Sequence, residues 1–230
     1  MKPTLKTIQK KLTSLFSKYD NYTILSDWFE LMALSIVNGL SPFETKLSLD
    51  REERFNYIQS KYTKNELKVF TECFALLTDE LSNCQENGFD DWLGDLYMQS
   101  DTQSKQNSQI FTPYSLAVPM AEVTIQDLDV EQINKEDKIV KFNDPAVGGG
   151  CLPIAYCETL HKKGINYCKH AVIVCGDLDR RCIHMAYVQL SLIGVAARIE
   201  NKNSITQELK EVWDTPQLVM HWMRFKNYVD

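Results

Sequence analysis

The sequence predicts an α/β protein in two parts, an N-terminal helical bundle followed by a short core of alternating strands and helices. Three observations carry this. Apolar residues recur at three- and four-residue spacing throughout residues 4–99, with almost no strand-like alternation. The composition then turns polar, small and aperiodic over 100–109, SDTQSKQNSQ, which marks a linker. Beyond it, the rhythm strand, helix, strand, helix, strand over 138–144, 153–163, 171–177, 180–193 and 196–201 predicts a parallel sheet with helices on its faces. The division drawn from this is a helical domain over 1–103 and a core over 109–230.

Each element has a local reason. Ser26 precedes DWFELMALSIVNGL, where Trp28, Leu31, Met32, Ile36 and Leu40 fall at helical spacing. Asp50-Arg51-Glu52-Glu53 and Thr63-Lys64-Asn65-Glu66 have the capping-box arrangement, which starts helices near 51 and 64. The turn at Asn87-Gly88 leads to a short helix over 90–98. Thr112 reads as an N-cap with Pro113 at the first helical position. After the third strand, helices are expected over 207–213 and 217–228.

Bulk properties narrow the class. The 230 residues are 44% hydrophobic, enough for a sizeable core. No apolar run reaches the roughly 18 residues of a membrane span, and Met1-Lys2-Pro3-Thr4 opens a mixed-charge segment, so a cytoplasmic protein without a membrane partner is expected. The seven cysteines form no CxxC pair and read as reduced thiols in the core. Cys168, His170, Cys182 and His184 have CxH spacings that split each pair between two faces, so no metal site is expected. A formal charge of −6 means that any nucleic-acid role needs a local basic face or a partner subunit.

The most informative stretch is VKFNDPAVGGGCL, residues 140–152. An apolar run ends in Asp144, and Pro145-Ala146 leads into Gly148 to Gly150 before a helix. Glycine permits positive φ and close ligand approach, while the helix start offers free N–H groups. Asp144 can accept a hydrogen bond from a ligand amine or from the loop itself. Val172 to Asp179, VIVCGDLD, ends a buried strand in acids; Asp177 suits either the hydroxyls of a ribose or the cap of the next helix. Arg198 to Ile205 ends a third strand in Asn203-Ser204, which suits either an adenine edge or a plain turn. Phe111 suits a core aromatic or, from its place directly before Thr112-Pro113, a cofactor wall.

Together these segments resemble the N-6 adenine DNA methyltransferases, in particular the modification subunits of type I restriction-modification systems and their small phage-type relatives. Residues 109–113 are similar to the family's Q-F-[YF]-T-P segment with Ile110 as one extra residue. Asp144, Pro145, Ala146, Gly148 and Gly150 match its D-P-A-x-G-x-G loop. Asp177 looks like its ribose-binding acid, and Asn203-Ser204 like its adenine-contacting turn, with Lys202 where glycine is usual. The resemblance implies an abbreviated Rossmann-like core that binds S-adenosylmethionine through Phe111, Thr112, Pro113, Asp144, Pro145, Ala146, Gly148, Gly150, Asp177, Asn203 and Ser204. It also implies DNA as substrate, reached with a partner subunit or as a homo-oligomer.

One motif of that family is absent. Methylating the exocyclic amine of adenine relies there on [DNS]-P-P-[YFW], whose oxygens take the amine's hydrogens and whose aromatic ring stacks on the flipped base. The nearest string here is Asp214-Thr215-Pro216-Gln217. Three readings stay open: an active enzyme whose loop is unorthodox or supplied by a partner, a catalytically inactive S-adenosylmethionine-binding or structural subunit of a modification system, and a relic whose Cys151 fills the pocket. The family's strand order would leave the first strand with an open edge, to be covered by the C-terminal helices or by another chain.

Overall fold

The computed structural model of the protein describes residues 2–40, 47–100 and 111–229. The first half is helical. α1 (Pro3–Thr13) buries Leu5, Ile8 and Leu12. α2 (Asn21–Asn38) starts earlier than Ser26 because Asp20 caps it, accepting from the Thr23 N–H at 3.0 Å. α3 (Leu47–Ser60) likewise starts before the expected cap, and Asp50 lies inside its first turn. α4 (Lys64–Ser82) has the expected capping box between Thr63 and Glu66. α5 (Cys84–Asn87) and α6 (Trp92–Gln99) follow, the latter capped by Asp91. α7 (Tyr114–Thr124) and α8 (Val130–Glu136) lead into the sheet.

The second half is a mixed α/β unit. β1 (Val140–Asp144), α9 (Cys151–Lys162), α10 (Tyr167–His170), β2 (Ala171–Asp177), α11 (Arg180–Leu192) and β3 (Ala196–Lys202) keep the expected alternation. β4 (Leu209–Asp214) then runs antiparallel to β3, and the chain ends in α12 (Pro216–Met220), α13 (Trp222–Phe225) and a 3-10 turn, Lys226–Tyr228. The sheet order is β1-β2-β3-β4, with the first three strands parallel.

β4 corrects the helix expected over 207–213. Glu and Lys favour a helix locally, yet the period-two pattern sets Trp213 opposite Ile199 on the covered face of the sheet, where it is 1% exposed. Pairing also occupies the outer edge of β3, which would otherwise stand open. Arg198 and Asp214 form a two-pronged ion pair across the hairpin at 2.9 Å in both contacts. The helix expected over 217–228 is broken at His221, whose φ of −114° and ψ of 31° separate α12 from α13.

Strand register assigns the faces. Phe142, Ile173 and Ala197 share one, as do Cys175 and Ile199, and α9 and α11 cover it. Phe142 stacks on Tyr156 of α9 with ring centroids 4.6 Å apart, and Trp213 packs against His184 and Tyr187 of α11. On the other face Leu218, Phe225 and Val229 cover Val172 and Ala196 near the strand starts. Toward the carboxyl ends that face carries an open recess among Asn143, Val174, Gly176, Glu200 and Lys202. β1 is an edge strand, as the resemblance implies, with β2 its one strand partner among the described residues. The C-terminal helices lie across the sheet face rather than extending the sheet beyond β1.

One apolar cluster runs from Leu5 of α1 to Trp213 of β4, so the helical half and the sheet share a core. Arg51 of α3 adds a hydrogen bond to the Val212 carbonyl at 3.2 Å and lies over the Trp213 ring. The division at 103 and 109 falls outside the described residues. All seven cysteines are free thiols, six of them buried. Among the described residues no helix is long and apolar enough to cross a membrane, and no group of three or more His, Cys, Asp or Glu could hold a metal ion.

Candidate functional site

The carboxyl ends of β1 and β2 meet in a glycine elbow. Asp144 Oδ1 accepts from the Ala146 N–H at 3.1 Å, which fixes the Pro145-Ala146 turn, and Val147 donates to the Gly176 carbonyl at 2.9 Å. The chain thereby passes over the end of β2. Gly148 and Gly150 take φ values of +53° and +109°, a region that penalises any side chain, and Gly150 occupies the N-cap of α9. Gly149 is needed for room instead: a Cβ there would lie 3.0 and 3.1 Å from the carboxylate oxygens of Asp91.

Asp177 faces the same loop from β2. Its Oδ2 accepts from the Gly148 N–H at 3.1 Å and its Oδ1 from the Asp179 N–H at 2.9 Å. Each oxygen keeps a further lone pair. Two carboxylates from neighbouring strands thus hold one loop. Asp144 is 7% exposed, and its Oδ2 is buried with no hydrogen-bond partner among the described residues. Burial raises its pKa, the Ala146 N–H opposes that, and the charge of Asp177 adds to it. A buried acceptor short of one bond is costly and calls for a donor.

Phe111 closes the elbow from outside. Its ring is 3.4 Å from the place a Gly148 Cβ would take, and it stacks on Tyr97 with centroids 5.6 Å apart at 23°. Thr112 is exposed, and its carbonyl accepts from the Cys151 thiol at 3.2 Å. That bond ties the 111–113 segment to the start of α9. Thr112 does not cap α7: Pro113, extended at ψ 139°, holds the cap position and the helix starts at Tyr114. The ring of Pro113 fixes its φ, and with ψ extended the helical conformation begins one residue later. Gln109 and Ile110 lie outside the described residues.

Asn203 and Ser204 sit in the β3–β4 hairpin. Asn203 Oδ1 accepts from the N–H groups of Ile205 and Thr206 at 3.0 and 3.1 Å, an Asx turn, and Gln207 completes it at φ +62°. Ser204 lines the recess on the sheet's open face together with Pro145. The residue of β3 that reaches the elbow region is Asn201, 2% exposed, whose Nδ2 donates to the carbonyls of Asp177 and Leu178, each at 3.0 Å.

The string Asp214-Thr215-Pro216-Gln217 lies at the wrong end of the sheet for a catalytic loop. Thr215 is fully buried, donating to the Val195 carbonyl at 2.8 Å and accepting from the Ala197 N–H at 2.9 Å, at the start of β3. The elbow is at the other end of the strands, roughly 20 Å away at the rise of an extended chain.

Sequence reasoning missed the supports of the elbow. Gln189 of α11, 0% exposed, donates from Nε2 to Asp91 Oδ1 at 2.8 Å and to the Gly149 carbonyl at 2.7 Å, while its Oε1 accepts from the Leu93 N–H at 3.1 Å. Asp91 also accepts from the Gly94 N–H at 3.0 Å, and burial pushes its pKa up to about 6. The legible signal for Gln189 is one amide in the apolar run AYVQLSLI, and for Asp91 its place before WLG.

No family model matches the chain, nor does any curated protein. Among solved structures it is similar to the methyltransferase subunit of a type I restriction-modification system from Streptococcus thermophilus, with a TM-score of 0.45 and 14% identity. The match covers 89% of this chain and 59% of that one, so the chain spans less than two thirds of that subunit's length. A likeness at that level decides neither fold nor function.

Proposed function

We propose that the chain binds S-adenosylmethionine at the glycine elbow and serves as the cofactor-binding part of a DNA adenine modification enzyme. The observation that carries this reading is the unpartnered, buried Oδ2 of Asp144 beside a loop that Asp177 holds from the next strand. A ligand with an ammonium group and two vicinal hydroxyls answers both carboxylates. Asp144 accepts from the ammonium, and Asp177 accepts from the ribose hydroxyls with the lone pairs its loop bonds leave free. Gly148 and Gly150 keep the approach clear of Cβ atoms, and Phe111 supplies an apolar wall. The fit is chemical: acceptors for a cation and hydroxyls, and among the described residues no lysine or arginine bonded to either carboxylate. In this reading β1, β2 and β3 are one half of a Rossmann-like sheet, and the N-terminal helical part packs onto it through the shared core.

When bound, the cofactor supplies an electrophilic methyl group. The chain's own residues hold and orient it and exclude water with Phe111, while the group that receives the base comes from a partner. The position of Thr215 at the strand starts favours this over turnover by the chain alone.

A thermal melt tests the reading. Cofactor at about 100 times its Kd stabilises the folded state by ~2.7 kcal/mol, a rise of roughly 5–10 °C for a chain of this size. Asp144→Ala abolishes the rise. A wild-type melt unmoved by millimolar S-adenosylmethionine refutes the site. Transfer of labelled methyl groups to adenine-containing DNA by the chain alone refutes the need for a partner.

A further inference from the structure

We infer that Tyr97 and Arg181 are positioning residues of the elbow, and that they set the gap between Phe111 and Asp177 from the helical half of the chain. The inference rests on the cofactor reading above and names how that site is kept in shape.

The contacts form a closed circuit. The Gly148 N–H donates to Asp177 Oδ2 at 3.1 Å, and Asp177 Oδ1 accepts from the Asp179 N–H at 2.9 Å. The Asp179 carboxylate caps α11 and grips Arg181, through Nε at 3.0 Å and through Nη2. Arg181 Nη1 donates to the Tyr97 hydroxyl at 2.7 Å. The Tyr97 ring stacks on Phe111, and the Phe111 ring lies against Gly148, which closes the circuit. Tyr97 is 5% and Arg181 7% exposed, so neither side chain is free to swing.

Two features separate this from ordinary packing. First, the circuit contains both groups that the cofactor reading places on opposite sides of the ligand, the apolar wall and the ribose-binding acid. Second, the Arg181 guanidinium carbon lies 4.3 Å from the Tyr22 ring centroid and 5.3 Å from that of Tyr97. A planar cation held by two rings and a carboxylate fixes the Tyr97 hydroxyl in direction as well as distance. Tyr97 belongs to α6, so the wall of the site is oriented by the N-terminal half.

Calorimetric titration of S-adenosylmethionine and of adenosine into the full chain tests this. Adenosine reports the acid side of the gap without the methionine part. Tyr97→Met removes the planar ring and weakens S-adenosylmethionine by about tenfold, with adenosine changed by less than about twofold. Tyr97→Phe keeps the ring but cuts its bond to Arg181, and weakens S-adenosylmethionine by an intermediate amount, about threefold to fivefold, with adenosine changed by less than about twofold. If Tyr97→Met shows no cooperative melt, Asp179→Asn replaces it: the α11 cap persists, the grip on Arg181 weakens, and the same selective loss is expected. Equal weakening of both ligands, or none, with wild type binding normally, overturns the positioning role and leaves the cofactor reading standing. Wild type that binds neither ligand overturns the cofactor reading, and the inference with it.

Discussion

Replacing Gln189 by Met should destabilise the protein strongly and in a pH-dependent way. Met keeps the volume, so no cavity opens, and the loss is electrostatic. The Leu93 N–H, the Gly149 carbonyl and Asp91 each lose a bond that the amide supplied. Each orphaned buried group costs ~1–3 kcal/mol, and the charged one sits at the upper end. The sum is about 5–9 kcal/mol at pH 8, where Asp91 is ionised. Asp91 is raised from 3.8 to about 6 in the folded state, so the fold binds its proton more tightly than the unfolded chain does. Its stability contribution is therefore greatest at low pH and falls as pH rises from 3.8 toward 6. The Gln189 amide is one of the groups that holds that pKa down. Without it the window extends upward, and at pH 5 the variant carries a neutral Asp91 and loses only about 2–3 kcal/mol. Urea denaturation at pH 5 and pH 8, followed by the fluorescence of Trp28, Trp92 and Trp213, measures both values. A loss below about 1 kcal/mol at pH 8, or equal losses at the two pH values, would refute the network.

His184 is 3% exposed and burial lowers its pKa from 6.5 to about 4, so the unfolded chain binds its proton more tightly; stability falls by ~3 kcal/mol as pH drops from 6.5 to 4, and a His184→Phe urea series should lack that fall relative to wild type. Thr215→Val removes two buried bonds at constant shape and should cost about 1–3 kcal/mol in chemical denaturation, leaving any S-adenosylmethionine melt shift intact because it lies at the far end of the sheet. Gly150→Ala forces a side chain onto φ +109° and should cost roughly 1–3 kcal/mol by thermal melt, with a smaller cofactor-induced rise than wild type.

Much of the α/β alternation was legible because its signals are local. β2 ends at Asp177 as read, since a continuous apolar run stops at an acid, and the elbow follows from three glycines with no other local purpose. β4 was not legible. Between Leu209 and Trp213 lie Lys210, Glu211 and Val212, whose two charges mimic an exposed helix, and only the open edge of β3 decides for a strand. The site shows the same division. Asp144, Gly148, Gly150 and Asp177 lie in contiguous motifs, and the structure brings them to one loop. Gln189, Asp91, Tyr97 and Arg181 act across long separations that no window of sequence contains. Asn203 reads alike as ligand or turn until its oxygen is found bonded to the backbone two and three residues on.

The bond between Asp91 and Gln189 joins positions 98 residues apart, which has a consequence for biosynthesis. While the first hundred residues leave the ribosome, the carboxylate at the head of α6 has no amide to meet, and the Leu93 N–H awaits the Gln189 side chain of α11. The early half therefore matures late, and a chain interrupted before α11 emerges would carry a sticky, half-neutralised surface of the kind that chaperones attend.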